Sequence, residues 1–364
     1  MTVKNQTFSP TVKFFIAIAA LTITLWGLRE GSEMIVQVVL AAVIAVSFTP
    51  LMYYLISKGL PSMVSYVLTL VAIVLVFGLL LAFLIVAVNR FVNEIPAYTA
   101  ELDSTLADFE EFISENFNIE QSDAGGLIDS IDPGQILNIA ADFFSGLIAT
   151  IGSIAMIVLV LIFLLVDALS VPDKLAPYIQ KGNVTVERVS RFGADVRHYI
   201  GITTVVGAAT GVLDTIFFII VGVDFPVLWG ILAFLMSYIP TIGFWLALIP
   251  PTFLAFLEMG LTEAVIVFFG IVLINGFAEN VVKPKYMGEG LDLSPFTVVF
   301  SVIFWAAILG PFGAILSVPL TMAFKMLILE YDPGNKWLAA LMSAEPHEAP
   351  DLDEPQEETA ELVE

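Results

Sequence analysis

The amino-acid sequence predicts an all-α protein that crosses a membrane several times. Of its 364 residues 58% are hydrophobic, and the mean hydropathy is +0.93, well above what soluble domains show. Apolar runs of about 20 residues, enough to span a bilayer as a helix, recur along most of the chain. Two runs are much longer and are interrupted near their middles. We therefore expect a polytopic membrane protein with about six full transmembrane helices and two opposed re-entrant helical hairpins, or alternatively eight conventional spans.

Composition excludes several classes of function. The chain has no cysteine and two histidines, so the sequence offers no thiolate metal site and no convincing catalytic triad or zinc set. A net charge of −22 does not suit a nucleic-acid partner, whose phosphates require lysine and arginine. We expect a protein that is not an enzyme, with no catalytic residue, no metal and no cofactor.

The spans and polar segments divide the chain into six parts. The segment after the third span carries twelve acidic residues and one basic residue, and part of it has the apolar spacing of an amphipathic helix. The predicted parts are 1–88 (three transmembrane helices), 89–143 (acidic extramembrane helices), 144–171 (a fourth transmembrane helix), 172–200 (a basic cytoplasmic segment), 201–330 (the core with both interrupted stretches) and 331–364 (an acidic disordered tail).

The interrupted stretches cover residues 226–258 and 295–330. Proline removes an amide donor and glycine permits sharp turns, so both break an apolar helix. Loosened backbone survives at membrane depth only where protein or a water-filled cavity satisfies it, and a pair of such breaks indicates the binding site of a transporter. We expect the breaks to present helix ends toward the bilayer centre. The residues that make them are Pro240, Gly243, Gly310, Pro311 and Gly313.

The distribution of lysine and arginine predicts the orientation. Basic residues favour the cytoplasmic side of short loops. If both interrupted stretches re-enter, nearly every basic cluster lies inside, including Lys283 and Lys285; if both cross, those two lysines lie outside. We therefore prefer re-entrant hairpins in a multi-pass protein of the cell (inner or plasma) membrane, with both termini cytoplasmic and membrane lipid as a partner.

Polar residues within apolar helices are the candidate pathway for a substrate or ion. Asp214 lies deep in the fifth span, where an ionisable group costs roughly 2.5–3.5 kcal/mol and usually faces a cavity or a partner. It is a candidate proton or cation carrier, or it simply bonds to a neighbouring helix. Gly207 and Gly211, nearby in the same span, have the spacing that lets helices approach closely.

A second polar group ends the last full span. Asn275 and Glu279 are four residues apart, as are Glu279 and Lys283, so each pair shares a helix face. These residues and Asn280 form either a polar gate beside the hairpins or a local salt bridge at the inner interface. Ser237 and Thr241 add hydroxyl groups at the first break. Because no basic residue lies deep in either hairpin, a neutral solute or a cation is favoured over an anion.

Residues in the C-terminal half resemble the signature of the autoinducer-2 exporter family of permeases. The resemblance covers nearly the whole chain, and the combined motif is more specific than its parts. One departure is Gly201-Ile202, where the family often has a glutamine after the glycine. The matching residues are Tyr238-Ile239-Pro240, Gly243, Pro250, Glu279-Asn280, Lys283-Pro284-Lys285, Met287-Gly288, Leu291, Ser294-Pro295, Gly310, Gly313 and Pro319.

The resemblance implies secondary transport of a small solute by a homo-oligomer, with a pentamer as one option. It also implies export of an autoinducer-2-like signal. The two opposed hairpins suit alternating access, and we expect transport to be coupled to a cation or proton. Sodium(lithium)/proton antiport is the alternative within transport, since other members have been described that way. A passive oligomeric pore and a membrane scaffold are the alternatives outside it.

Overall fold

A computed structural model describes residues 9–117, 154–180, 184–287, 292–330 and 336–344. Every regular element in these ranges is helical, which confirms the all-α prediction. The elements are α1 (Pro10–Glu30), α2 (Ser32–Ser57), α3 (Ser62–Phe117), α4 (Ile154–Gln180), α5 (Val184–Val221), α6 (Pro226–Met236), α7 (Ile242–Met259), α8 (Leu261–Phe277), a π-helical turn (Ala278–Val282), α9 (Lys283–Met287), α10 (Pro295–Leu309), α11 (Pro311–Ile315), α12 (Ser317–Phe324), a second π-helical turn (Lys325–Leu329) and α13 (Lys336–Met342).

Six helices within these ranges are long and apolar enough to cross a membrane, as expected of a multi-pass membrane protein. These six helices and the six predicted spans differ in one member. The six helices include α7, an arm of the first interrupted stretch, and they omit the fourth predicted span, of which the structure describes only the part from Ile154 onward. The six are Thr11–Glu30, Ser32–Ser57, Ser62–Glu94, Thr185–Val221, Ile242–Met259 and Leu261–Met287.

The acidic segment is only partly described. Its first residues continue α3 without a break as far as Phe117. The remainder of 89–143 and most of the tail 331–364 lie outside the described residues, as does the start of the fourth predicted span. The boundaries of the six predicted parts therefore stay predictions.

The largest apolar core surrounds the first interrupted stretch. Trp229 on α6 is 1% exposed, and its ring meets that of Phe91 on α3 edge-on at 5.3 Å. Phe218 of α5, Leu254 of α7 and Val267 of α8 complete the same core. Because the buried side chains come from all these helices, the first stretch lies between α3, α5 and α8.

Close packing of α5 against α6 depends on glycine, as the spacing in the fifth span predicts. A Cβ atom on Gly211 would come 2.5 Å from the carbonyl oxygen of Gly230, and one on Gly207 would overlap the Ser237 hydroxyl. Gly201, by contrast, has nothing within 4 Å of its Cβ position. Gly207 and Gly211 are therefore the glycines that let α5 approach α6, the first arm of the interrupted stretch.

Candidate functional site

The first interrupted stretch folds back on itself as a helical hairpin, here called hairpin 1 (residues 226–258). Its two ends lie together, because the Asp224 amide donates to the Glu258 carboxylate over 3.3 Å. At the other end the chain turns through Ser237–Thr241, where Thr241 adopts a left-handed φ of 64° and Gly243 packs against the Met236 carbonyl. The turn comes early, so the arms are unequal: 11 residues in α6 and 18 in α7.

The second interrupted stretch is also a hairpin, here called hairpin 2 (residues 295–330). The Trp305 indole on its first arm donates to the Thr321 hydroxyl on its second arm over 3.0 Å. Its ends lie together because the Lys325 ammonium donates to the backbone carbonyl of Asp292 over 2.8 Å and also pairs with the Asp292 carboxylate. Gly310 makes the turn with a φ of 68°, which favours glycine.

The two turns lie beside different neighbouring helices. At the tip of hairpin 1, the Ser237 carbonyl accepts from Lys283, beyond the end of α8. At the tip of hairpin 2, Pro311 shares a cavity of about 130 Å³ with Glu33, near the start of α2. The position of the breaks relative to the bilayer centre stays a prediction.

The two hairpins line an open cavity of about 490 Å³ where they approach each other. Hairpin 1 contributes Met236, Ile239, Ile242 and Leu246, and hairpin 2 contributes only apolar side chains, proline and glycine. The side chains that line this space therefore offer no hydroxyl, amide or charge to a solute. A hydrophobic lining of this kind is unfavourable for water and ions.

Asp214 and Asn275 come together from helices far apart in sequence. The Asn275 amide donates to Asp214 Oδ2 over 2.9 Å and to the Ile271 carbonyl over 3.2 Å. Asp214 is 1% exposed and Asn275 is 7% exposed, and among the described residues Asp214 Oδ1 has no hydrogen-bond partner. A buried carboxyl group with an unsatisfied oxygen is costly. The site can therefore hold a proton, because a protonated carboxyl has no charge to desolvate.

The remaining predicted residues gather elsewhere or stay separate. Glu279 pairs with Lys283 at 3.0 Å, as their spacing predicts, and Lys283 also binds the Ser237 carbonyl at the tip of hairpin 1. Asn280 is exposed and donates to the Gly276 carbonyl of its own helix. Thr241 is exposed at the tip. The structure thus forms two polar groups, Asp214 with Asn275 and Glu279 with Lys283 and Ser237.

Sequence reasoning missed polar residues of α5 that lie beside the tip of hairpin 1. The hydroxyls of Thr204 and Tyr238 are 2.7 Å apart, which joins α5 to the tip. Thr203, next to Thr204, is 0% exposed, and Tyr199, about one helical turn earlier, is 2% exposed. A helical spacing of hydroxyl residues at 199, 203 and 204 is the signal that points to this face. The sequence around Lys283 does not indicate its bond to the Ser237 carbonyl, because Ser237 lies 46 residues away.

Comparison with known proteins agrees with this architecture. The sequence model of the AI-2E family transporter matches residues 14–332. The chain is 32% identical over 332 residues to the "AI-2 transport protein TqsA" of Escherichia coli (strain K12), covering 91% of this chain and 96% of that protein. It is 27% identical over 327 residues to the "Putative transport protein YhhT" of the same strain, covering 90% and 93%. A "Putative transport protein" of Haemophilus influenzae is 31% identical over 332 residues, covering 90% and 95%. With the family's sequence matched across both hairpins and nearly all of the described helices, this chain belongs to the AI-2E transporter family.

Proposed function

We propose that this chain is a secondary transporter that moves a small solute by alternating access, with the two hairpins as its gates. The observation that carries the proposal is their arrangement. Each hairpin is fastened at its open end, by Asp224 with Glu258 and by Lys325 with Asp292, and the two meet over an apolar cavity. A hairpin whose open end is held in place, and whose turn faces the other hairpin, can rotate about that open end as a hinge.

We further propose that both hairpins re-enter the membrane from opposite faces. Helix α6 has 11 residues, or roughly 17 Å, against a hydrocarbon core of about 30 Å, so it is too short to cross. The cytoplasmic side would be that of Lys283, Lys285 and Lys325, following the positive-inside rule. Hairpin 1 then enters from outside and hairpin 2 from the cytoplasm, with both termini inside and the chain acting as a homo-oligomer.

The apolar cavity favours a gated transporter over a passive pore. A permanently open pore needs a path that water can wet, and the side chains between the hairpins are apolar. The apolar surface between the two hairpins disfavours ions and polar solutes in this conformation. A change of conformation is then required for passage, as in alternating access.

We assign to Asp214 the coupling of transport to the proton gradient. A carboxyl group that is buried, ionisable and bonded to Asn275 can take up and release a proton as the surroundings change between conformations. Because the name of the Escherichia coli relative specifies AI-2 transport, we propose an autoinducer-2-like signal as the exported solute. Sodium(lithium)/proton antiport is the second candidate, and the buried carboxyl is the observation that favours it.

The test is coupled flux in proteoliposomes containing the purified protein and a pH-sensitive dye. Proton and sodium gradients are imposed with and without autoinducer-2. Release of the signal driven by a gradient supports export, and sodium-dependent proton movement without the signal supports antiport. Absence of coupled flux of either kind contradicts the proposal and favours the pore or the scaffold.

A matched pair of variants tests the role of Asp214. Asp214→Asn keeps a side chain that can accept from Asn275 and removes the ionisable group, so coupled proton movement should be lost while the protein stays folded. Asp167→Asn is the control, because Asp167 is 68% exposed and pairs with the similarly exposed Lys174. Equal flux from the two variants would refute the assignment.

A further inference from the structure

Lys283 is one of two lysines that are buried in the part of the chain the structure describes. It is 8% exposed, and its ammonium group has three oxygen partners. Two belong to Glu279, at 3.1 and 3.0 Å, and the third is the backbone carbonyl of Ser237, at 3.1 Å. Lysine is almost never buried unless it is paired. The first pair lies within one helix turn, whereas the bond to Ser237 connects two separate elements.

The position of the Ser237 carbonyl makes this bond a favourable one. Ser237 directly follows α6, so its carbonyl belongs to the end of that helix, where carbonyl groups lack partners within the helix. The partial negative charge at a helix C-terminus attracts a cation. The Lys283 ammonium therefore attaches the tip of hairpin 1 to the end of the last full span.

A π-helical turn aims Lys283 at this tip. The Lys283 amide bonds to the carbonyl of Ala278, five residues earlier, so the turn contains one residue more than an α-helix would. An extra residue rotates the following side chains by about 100° relative to the preceding ones. As a result Lys283, eight residues after Asn275, lies about 20° from the face of Asn275 around the helix axis instead of about 80°, and this face meets both Asp214 of α5 and the tip of hairpin 1.

The other buried lysine acts at the opposite end of the other hairpin. Lys325 is 5% exposed and binds Asp292, whose carboxylate also accepts from Ser343. Lys325 therefore fastens the open end of hairpin 2, the end that stays in place in the proposed movement. Lys283 instead holds a tip, the part that has to move.

We propose that Lys283 is a positioning residue, a latch that holds the tip of hairpin 1 against α8 and keeps Ile239, in the wall of the apolar cavity, buried. The inference rests on the proposed function, in which the hairpins are gates. In the described part of the chain, Ser237, Tyr238 and Thr241 make few hydrogen bonds to neighbouring helices. When the ammonium leaves the Ser237 carbonyl, the side-chain hydrogen bond that remains from these residues to a neighbouring helix is that of Tyr238 with Thr204. Ile239, which lines the cavity and is 5% exposed, then becomes accessible.

Accessibility of a single cysteine measures the latch directly. The chain has no cysteine of its own, so Ile239→Cys introduces the only thiol. Its rate of modification by a membrane-impermeant methanethiosulfonate is measured in proteoliposomes, with reagent on each side in turn. Adding Lys283→Met should raise the rate about tenfold or more, because a charge-assisted hydrogen bond is lost. The increase is expected for reagent on the side of Lys283.

Two further lysine variants separate the latch from a loss of charge. Lys285→Met removes the same charge from an exposed lysine two residues away and should leave the rate unchanged. Lys283→Arg keeps a cationic donor within reach of the carbonyl and should bring the rate back toward that of the parent. If Lys283→Met leaves the rate unchanged, or if Lys285→Met raises it equally, the latch is refuted.

General loosening of the fold would imitate an open latch, so a distant reporter is included. Leu161→Cys places the thiol in the separate core between α2, α3 and α4, where Leu161 is 1% exposed. If Lys283→Met raises modification at both positions equally, the lysine is merely structural and the proposal fails. Should Lys283→Met not fold, Glu279→Gln weakens the ion pair at nearly constant volume and should give a smaller increase at position 239; no increase would overturn the latch.

The same preparations distinguish this proposal from the proposed function. Coupled flux with no change in thiol modification at position 239 refutes the latch and leaves transport standing. Modification that responds to Lys283 without any coupled flux supports a latched hairpin and refutes secondary transport.

Discussion

Gly243 at the turn of hairpin 1 should tolerate no side chain, not even a methyl group. A Cβ atom there would lie 2.9 Å from the Met236 carbonyl carbon and would overlap the carbonyl oxygen, whereas real Cβ contacts essentially never fall under 3.0 Å. The obstacle is backbone, and the same carbonyl accepts the Ile239 amide that shapes the turn. Gly243→Ala should therefore destabilise by about 2–3 kcal/mol, the upper part of the range for overpacking.

The assay is thermal unfolding of the purified protein in detergent, followed by intrinsic tryptophan fluorescence, with flux measured in parallel. Gly276→Ala is the matched control, because this helical glycine has nothing within 4 Å of its Cβ position. Alanine is about 1 kcal/mol better than glycine inside a helix, so the control should unfold at an equal or higher temperature. If both variants unfold at the temperature of the parent, the described geometry of the turn is wrong.

Three other changes test the contacts within and between the helices. Asp214→Ala leaves the Asn275 amide without its buried partner and should cost about 1–3 kcal/mol of unfolding free energy, whereas Asp214→Asn should cost less in the same chemical denaturation. Trp305→Phe removes the indole donor to Thr321 that joins the arms of hairpin 2, so thermal unfolding should show a loss of about 1 kcal/mol. Ser294→Ala removes the cap of α10 and should cost about 1 kcal/mol by the same measurement, while Ser294→Thr should retain most of the stability. A parent-like midpoint for any alanine or phenylalanine variant would contradict the corresponding contact.

The local pattern of the sequence was sufficient for the helices and for the breaks between them. Apolar length predicts the spans, and proline with glycine predicts the interruptions at Pro240–Gly243 and Gly310–Gly313, where the structure has its two turns. The i,i+4 pair of Glu279 with Lys283 is likewise a local property of one helix. The neighbours of each break were not predictable in this way, because they depend on how the hairpins pack against the other helices.

The sequence by itself determined that this is an all-α membrane protein with two interrupted stretches and a few polar residues within its apolar helices. Only the tertiary structure decided which of these residues meet. Asp214 finds Asn275 across 61 positions, and Lys283 finds the Ser237 carbonyl across 46. The physical reason is that periodicity reports the face on which a side chain lies, whereas its partner depends on the packing of whole helices. Every residue has a backbone carbonyl, so the residue type cannot indicate that the carbonyl of Ser237 is the one that binds Lys283.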